Sequence, residues 1–519
     1  MSVPITPGSG EEAAEELGTS QSRRASAELK VAAVSVLSCG VALLASALVD
    51  LTDGASDSLA LAALGAACVA LGATVVGRVD MPSRLSPRRS LRTVGVALAT
   101  MIVVSIIAYR VTGTITRPGE ALMESTAGFT TTALSVIDDP ESLGRGILFW
   151  RATTQWLGGF SALAAVIAVL PFLGVSGPAD PRARLPTESP HLNSGHVRRV
   201  LARYFALYVT LTLVGAMLFL VGGMGPFDAA TYALTTISTG GFANHAGSFS
   251  FFDSALIEWM GVAGMFLGGL SLAIVWSVLR GRSRNVLGSR ELWAYCALIA
   301  ASTAVFALVE SPGDSLLANI RISAFTATSA VSSTGHWVTN WAEWAPGPQW
   351  ILVILMGLGA MSGSMGGGFR IARAMALFSY LWRELDTQLR PGVVKVVRVG
   401  REVIDEPRVS RILGYQVLYV GMAAAGFVAL GLAGADEVTA VSGSLSALAT
   451  FGPALGDLGV TQPLSAMGRD GLLVLLVLMF AGRVELYPLL DGVVATVTWP
   501  LRRLRGGVAA RVSDAGKEP

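Results

Sequence analysis

Apolar stretches of membrane-crossing length alternate with short polar loops along almost the whole chain. A bilayer core takes about 20 apolar residues in a helix. Ten stretches meet that length, at roughly 31–50, 58–78, 92–112, 146–172, 200–223, 253–280, 290–310, 347–377, 410–434 and 470–498. Two of them lead, and the other eight fall into four pairs. The members of a pair are not joined by an ordinary polar loop. Each connection is an apolar, helix-prone segment that runs into a turn of small residues. The turns read Thr130-Thr131-Thr132-Ala133, Ser238-Thr239-Gly240-Gly241, Ser332-Ser333-Thr334-Gly335 and Ala449-Thr450-Phe451-Gly452. They recur about every one hundred residues, a longer period than soluble solenoids use. Pro118 and Glu120 suit the start of the first connecting helix, Asp228 the second, Asp314 or Ser315 the third and Asp436 the fourth.

Charge then orients the pattern. Only 14% of the 519 residues are charged, while 52% are hydrophobic; soluble domains carry about a quarter charged residues. The chain therefore reads as an all-α integral membrane protein, in contact with membrane lipid. The net charge of +2 is spread over loops and gives no reason to expect nucleic acid. Arginines and lysines crowd before the first stretch and after the second, fourth, sixth, eighth and tenth, whereas the alternate loops hold Asp53, Asp138, Asp139, Glu141, Asp314, Asp436 and Asp457. By the positive-inside rule both termini are cytoplasmic and all four turns face outward. The polar first thirty residues lack the apolar core of a cleaved signal. Cys39, Cys68 and Cys296 sit in apolar stretches and read as inert.

The chemistry lies in the turns. Irregular backbone at membrane depth must be buried in protein or line a wet cavity. Four turns around one axis would present a ring of carbonyls, which replaces the water shell of an alkali cation. The connecting helices would aim their negative C-terminal ends at the same point, and glycine admits the positive φ that turns carbonyls inward. Taken singly, each turn is equally a packing bend in a membrane helix. Ser362 to Gly368, with four glycines, reads either as an unwound segment below the turns or as a tight helix-packing patch. Glu124 is expected to brace the first turn by accepting backbone hydrogen bonds. His191, His196, His245 and His336 form no metal-ligating cluster and are expected to be solvent-facing. Arg370 and Arg373 are expected as ordinary anchors in the cytoplasmic half. No metalloprotease motif, nucleophile elbow or P-loop is present, which argues against an enzyme and against a bound cofactor. Valines between residues 393 and 404 predict a β-hairpin turning near Gly400. That hairpin and the basic stretch 502–511 are candidate docking surfaces for a cytosolic partner.

Three motifs carry a resemblance. Met123-Glu124-Ser125-Thr126-Ala127-Gly128-Phe129-Thr130-Thr131-Thr132 is followed by Gly146-Ile147-Leu148-Phe149-Trp150-Arg151 and Gln155-Trp156-Leu157-Gly158-Gly159. Ser362-Gly363-Ser364-Met365-Gly366-Gly367-Gly368 interrupts the eighth stretch, and Gly482-Arg483-Val484-Glu485-Leu486 lies in the last. Together they resemble the Trk/Ktr/HKT superfamily of potassium and sodium transporters, most closely its bacterial TrkH-like branch, over about residues 90–498. The resemblance implies two leading helices plus four helix–pore-helix–helix repeats with pseudo-fourfold symmetry around a central pore. It implies an ion-binding filter at Thr131, Thr132, Ala133, Thr239, Gly240, Gly241, Ser333, Thr334, Gly335, Thr450, Phe451 and Gly452. It favours a gate at Gly363, Ser364, Gly366, Gly367 and Gly368. Arg483 would then bond the loop carbonyls, the alternative being a structural pair with Glu485. It also implies a homodimer and a cytosolic nucleotide-binding regulatory subunit of the TrkA type.

The expected organisation is a tail (1–30), leading helices (31–89), repeats at 90–185, 186–285, 286–408 and 409–500, and a basic tail (501–519). The family usually has glycine at the third filter position of every repeat; here Ala133 departs, at an expected strain of about 1 kcal/mol if held at positive φ. The expected activity is potassium uptake across the plasma membrane through a gated, channel-like pore. The alternative, motivated by Ala133, is a sodium-permeable or weakly selective monovalent cation transporter.

Overall fold

The computed structural model describes residues 9–53, 57–79, 84–85, 87–173, 192–282, 286–390, 396–399, 402–464 and 467–484. It is helical throughout apart from two short ribbons. The helices are α1 (Ser9–Asp53), α2 (Ser58–Arg78), α3 (Pro87–Val111), α4 (Pro118–Thr130), α5 (Arg145–Leu173), α6 (Ser194–Gly222), α7 (Pro226–Ile237) and α8 (Ala255–Gly269). They continue as α9 (Leu272–Leu279), α10 (Arg290–Val309), α11 (Leu316–Ser332), α12 (Pro346–Leu358), α13 (Ile371–Leu389), α14 (Glu406–Leu432), α15 (Glu437–Leu448) and α16 (Arg469–Val484). The all-α membrane architecture expected from the pattern is thus present.

Six helices among the described residues are long and apolar enough to cross a bilayer: Ala27–Thr52, Ser58–Arg78, Arg92–Val111, Arg198–Gly222, Arg290–Val309 and Glu406–Leu432. Two of the ten expected stretches are broken. The stretch 253–280 bends by 102° between α8 and α9. The stretch 347–377 splits into α12 and α13 around residues 359–370, which are not helical. The far half of 470–498 lies outside the described residues.

The short helices between spans start where local chemistry lets them. α4, α7 and α12 carry proline in the first turn, where the missing N–H loses no bond. The Ser315 side chain accepts from Ala318 N at 3.3 Å and so caps α11, which decides between the two residues expected there. Asp436 caps α15 through Val438 N and Thr439 N. Asp228 does not cap α7; Gly225 stands at that position, and Asp228 binds Asn244 Nδ2 at 2.8 Å.

The leading helices pack closely on each other. A Cβ on Gly40 or Gly72 would lie 2.8 Å from backbone atoms of the opposing helix, so small residues set the approach. Asp50 in α1 accepts from Gly146 N at 3.2 Å. That bond ties the leading pair to the start of α5. Strands Val397–Val399 and Glu402–Ile404 form the expected antiparallel ribbon, pairing Val397 with Ile404 and Val399 with Glu402. Its apolar side, Val397 and Ile404, packs with Ala376, Val409 and Ile412. The expected turn at Gly400 lies outside the described residues, as does the basic stretch 502–511. A second ribbon pairs Arg84-Leu85 with Leu192-Asn193.

Candidate functional site: four converging turns above a glycine loop

α4, α7, α11 and α15 end in the same way. The residue at the break is left-handed in each: Thr131, Thr239 and Ser333 at φ 55° and Thr450 at φ 54°. The next residue donates five positions back each time: Thr132 N to Ala127 O (2.9 Å), Gly240 N to Thr235 O (2.7 Å), Thr334 N to Ser329 O (2.9 Å) and Phe451 N to Ser446 O (2.9 Å). This closes a helix as glycine commonly does, but with threonine or serine in its place. A β-branched residue there is a true outlier and stores about 1–2 kcal/mol. Strain repeated at four corresponding positions makes these turns the candidate site. The Thr131 and Thr450 hydroxyls are buried and have no protein partner among the described residues.

Two residues on, Gly241, Gly335 and Gly452 take φ 81°, 88° and 114°. Ala133 does not join them: it is absent from the left-handed residues. The expected strain on its methyl is therefore avoided, because the backbone of the first turn changes course. Ala133 N donates instead to Phe451 O across the turns, at 3.2 Å. The turns converge on this residue. A Cβ on Gly241 would come within 2.7 Å of Ala133 Cβ, one on Gly335 within 2.6 Å, and one on Gly452 within 2.5 Å of Ala133 N. The carbonyls are not four equivalent open groups as expected. Gly240 O accepts from Gln155 Nε2 at 2.8 Å, and Phe451 O is taken by Ala133. Thr334 O lies against Gly241. Phe451 contributes backbone only; its buried ring packs on Trp341.

Side chains behind the turns hold them. Gln155 of α5 also accepts from Phe242 N at 3.0 Å. Buried Glu124 pairs with buried Arg151 at 2.9 Å and accepts from Val136 N and Ser135 Oγ at 2.9 Å each. Arg151 donates to Ala243 O (3.2 Å) and Ser135 Oγ (3.0 Å) and stacks over Phe242. One ion pair thereby joins the exits of the first and second turns, and Glu124 braces backbone as expected. Gln155 and Arg151 are site residues beyond those expected from the sequence. The available signal was polar and charged side chains inside an apolar stretch.

His336 and His245 depart from the expected solvent-facing placement. His336 is fully buried, 3.1 Å from Thr236 Oγ1, with its carbonyl accepting from Ser329 Oγ at 2.7 Å. His245 lies between Glu141 and Asp228, 3.5 Å from each, and stacks on Phe251. His191 and the side chain of His196 lie outside the described residues. Above the turns opens a cavity of about 450 Å³, lined by Ala133, Gly241, Gly335, Pro453, Asp138 and His245 among others.

Residues 359–370 run directly beneath. Gly359, Gly363, Gly368 and Arg370 are left-handed, so the segment is no helix. Gly367 N donates to Ser333 Oγ at 2.8 Å. A Cβ on Gly367 would strike Thr450 Oγ1 and Ala449 O, and one on Gly366 would lie 2.9 Å from Ser333 Oγ. The loop thus touches the third and fourth turns from below. Gly368 packs on Gly359, Gly363 lies beside Ser271, and Ser364 Oγ donates to Met361 O at 2.7 Å. Arg483, buried in α16, donates to Met365 O and Gly158 O at 3.0 Å each. The alternative partner Glu485 lies outside the described residues. Arg370 and Arg373 are buried, not at the surface; Arg373 lies over Tyr415 at 4.1 Å.

The sequence matches the TrkH family model, described as a cation transport protein, over residues 85–497. The Trk system potassium uptake protein TrkH of Halomonas elongata is 29% identical over 378 residues, 71% of this chain and 77% of that protein. TrkH of Escherichia coli is 28% identical over 382 residues, 72% of this chain and 77% of that protein. The crystal structure of the potassium transporter TrkH from Vibrio parahaemolyticus superposes with a TM-score of 0.80 at 24% identity, covering 90% of this chain and 97% of the other. That likeness shows a shared fold.

Proposed function

The chain belongs to the TrkH family of cation transport proteins, a transport family and not one of enzymes, and from that premise we propose that it takes up potassium through a channel-like pore. The convergence of four strained turns on one point carries this reading. Left-handed Thr131, Thr239, Ser333 and Thr450 place backbone oxygens and hydroxyls together in protein-buried surroundings, which suits a cation that has shed its water. Four helix C-terminal ends add partial negative charge. In this reading Thr131, Thr132, Ala133 and their counterparts in the other turns form the filter. The loop Gly363, Ser364, Gly366, Gly367 and Gly368 is the gate, held by Arg483. The four repeats span 90–185, 186–285, 286–408 and 409–500. The protein resides in the plasma membrane with both termini cytoplasmic, works as a homodimer and takes a cytosolic nucleotide-binding regulatory subunit. The ribbon 397–404 offers that subunit a docking surface.

A second reading, a sodium-permeable or weakly selective pore, is favoured by one observation. The Ala133 methyl stands where the other three turns meet, and the Ala133 N–H occupies the Phe451 carbonyl. Flux of potassium and sodium into liposomes holding the purified protein separates the two. A potassium filter gives a clear potassium preference, and equal fluxes contradict it. Under this second reading Ala133→Gly, which removes the methyl packed against Gly241 and Gly335, is expected to raise the potassium preference several-fold.

A further inference from the structure

The two ends of the glycine loop meet on one carboxylate that belongs to neither the turns nor the loop. Glu291 stands in the first turn of α10, two residues past its cap Ser289. Its side chain points inward and is only 7% exposed. Ser362 N donates to Glu291 Oε1 at 2.6 Å. The positive charge of Arg370 and the backbone of Ala372 act on the same carboxylate. Ser362 leads directly into the glycine run 363–368, Arg370 ends the irregular segment after it, and Ala372 lies in the first turn of α13. A carboxylate at a helix N-terminus is stabilised by the unpaired N–H groups there. A buried one is retained where hydrogen bonds and charge compensate its lost water. The loop's other tethers on this side are backbone contacts: Leu272 N to Gly363 O at 3.1 Å and Met361 N to Gly269 O at 3.3 Å.

We propose that Glu291 is a positioning residue that latches the loop across the pore, holding Ser362 at one end and the start of α13 at the other. This rests on the loop being the gate. The latch joins the loop to α10, which begins at Arg290 shortly after the basic residues Arg280 and Arg282. Movement of that segment would reach the loop through Glu291 without passing through the filter.

The test uses the full chain in planar bilayers, comparing wild type, Glu291→Ala, Glu291→Gln and a form lacking residues 364–366. Loss of the carboxylate removes the acceptor of Ser362 N, so Glu291→Ala is expected to raise open probability about tenfold. Glu291→Gln, which keeps one acceptor for Ser362 N, falls between it and wild type. Unitary conductance and potassium preference stay unchanged, because no filter residue is touched. If the shortened loop raises open probability and Glu291→Ala does not, the latch is wrong and the gate stands. If the shortened loop also leaves it unchanged, the gate reading fails and takes the latch with it. A Glu291→Ala protein with altered ion preference assigns Glu291 a general structural role and overturns the proposal.

Discussion

Threonine and serine in left-handed backbone distinguish this site at the scale of single residues. Each of Thr131, Thr239, Ser333 and Thr450 adopts a conformation that favours glycine, so the surroundings impose it. Thr239→Gly is expected to gain about 1 kcal/mol of stability in detergent melting while losing potassium preference, since the freed backbone no longer fixes its carbonyls. Gly241→Ala is expected to do the opposite to stability. Its Cβ would strike Thr334 O at a φ of 81°, lowering the melting temperature and flux together. The glycines at the third position of three turns were legible as sites of positive φ. The left-handed threonines were not, because intrinsic preference assigns that backbone to glycine or asparagine and only crowding overrides it. Ala133 was legible as a departure. Its escape from positive φ was not, since it depends on a bond to Phe451, more than three hundred residues away in sequence.

Among elements, the breaks carry the most information. Periodicity reports that a stretch is apolar and helical, but not that it turns. The 102° bend between α8 and α9 falls at Gly269–Ser271, where small residues permit a bend without announcing one. The loop was legible because four glycines cluster within residues 362–368, and its place beneath the turns became clear only from Ser333 and Arg483. Arg483→Ala removes two donors to Met365 O and Gly158 O and is expected to raise leak flux in liposomes several-fold. The pair Glu124–Arg151 holds two turns from behind at full burial. Breaking one partner strands the other charge, so Arg151→Ala is expected to cost about 3–5 kcal/mol. Melting of the single and double variants checks this: the double loses less than the sum of the singles.

The whole molecule follows from spans and charge. Paired apolar stretches and basic loops made the membrane class and the repeat of turns legible. The buried brace of Gln155, Arg151 and His336 was not, because those contacts join segments that no local pattern relates. In the proposed function the four turns form one conduit for a monovalent cation. A reversal potential across a bilayer with a potassium chloride gradient tests it most directly. Reversal is expected near the potassium equilibrium potential, shifted by Thr239→Gly and by Thr450→Gly alike although they lie in different turns. Reversal near the chloride potential, or a shift with only one of the two, would contradict it.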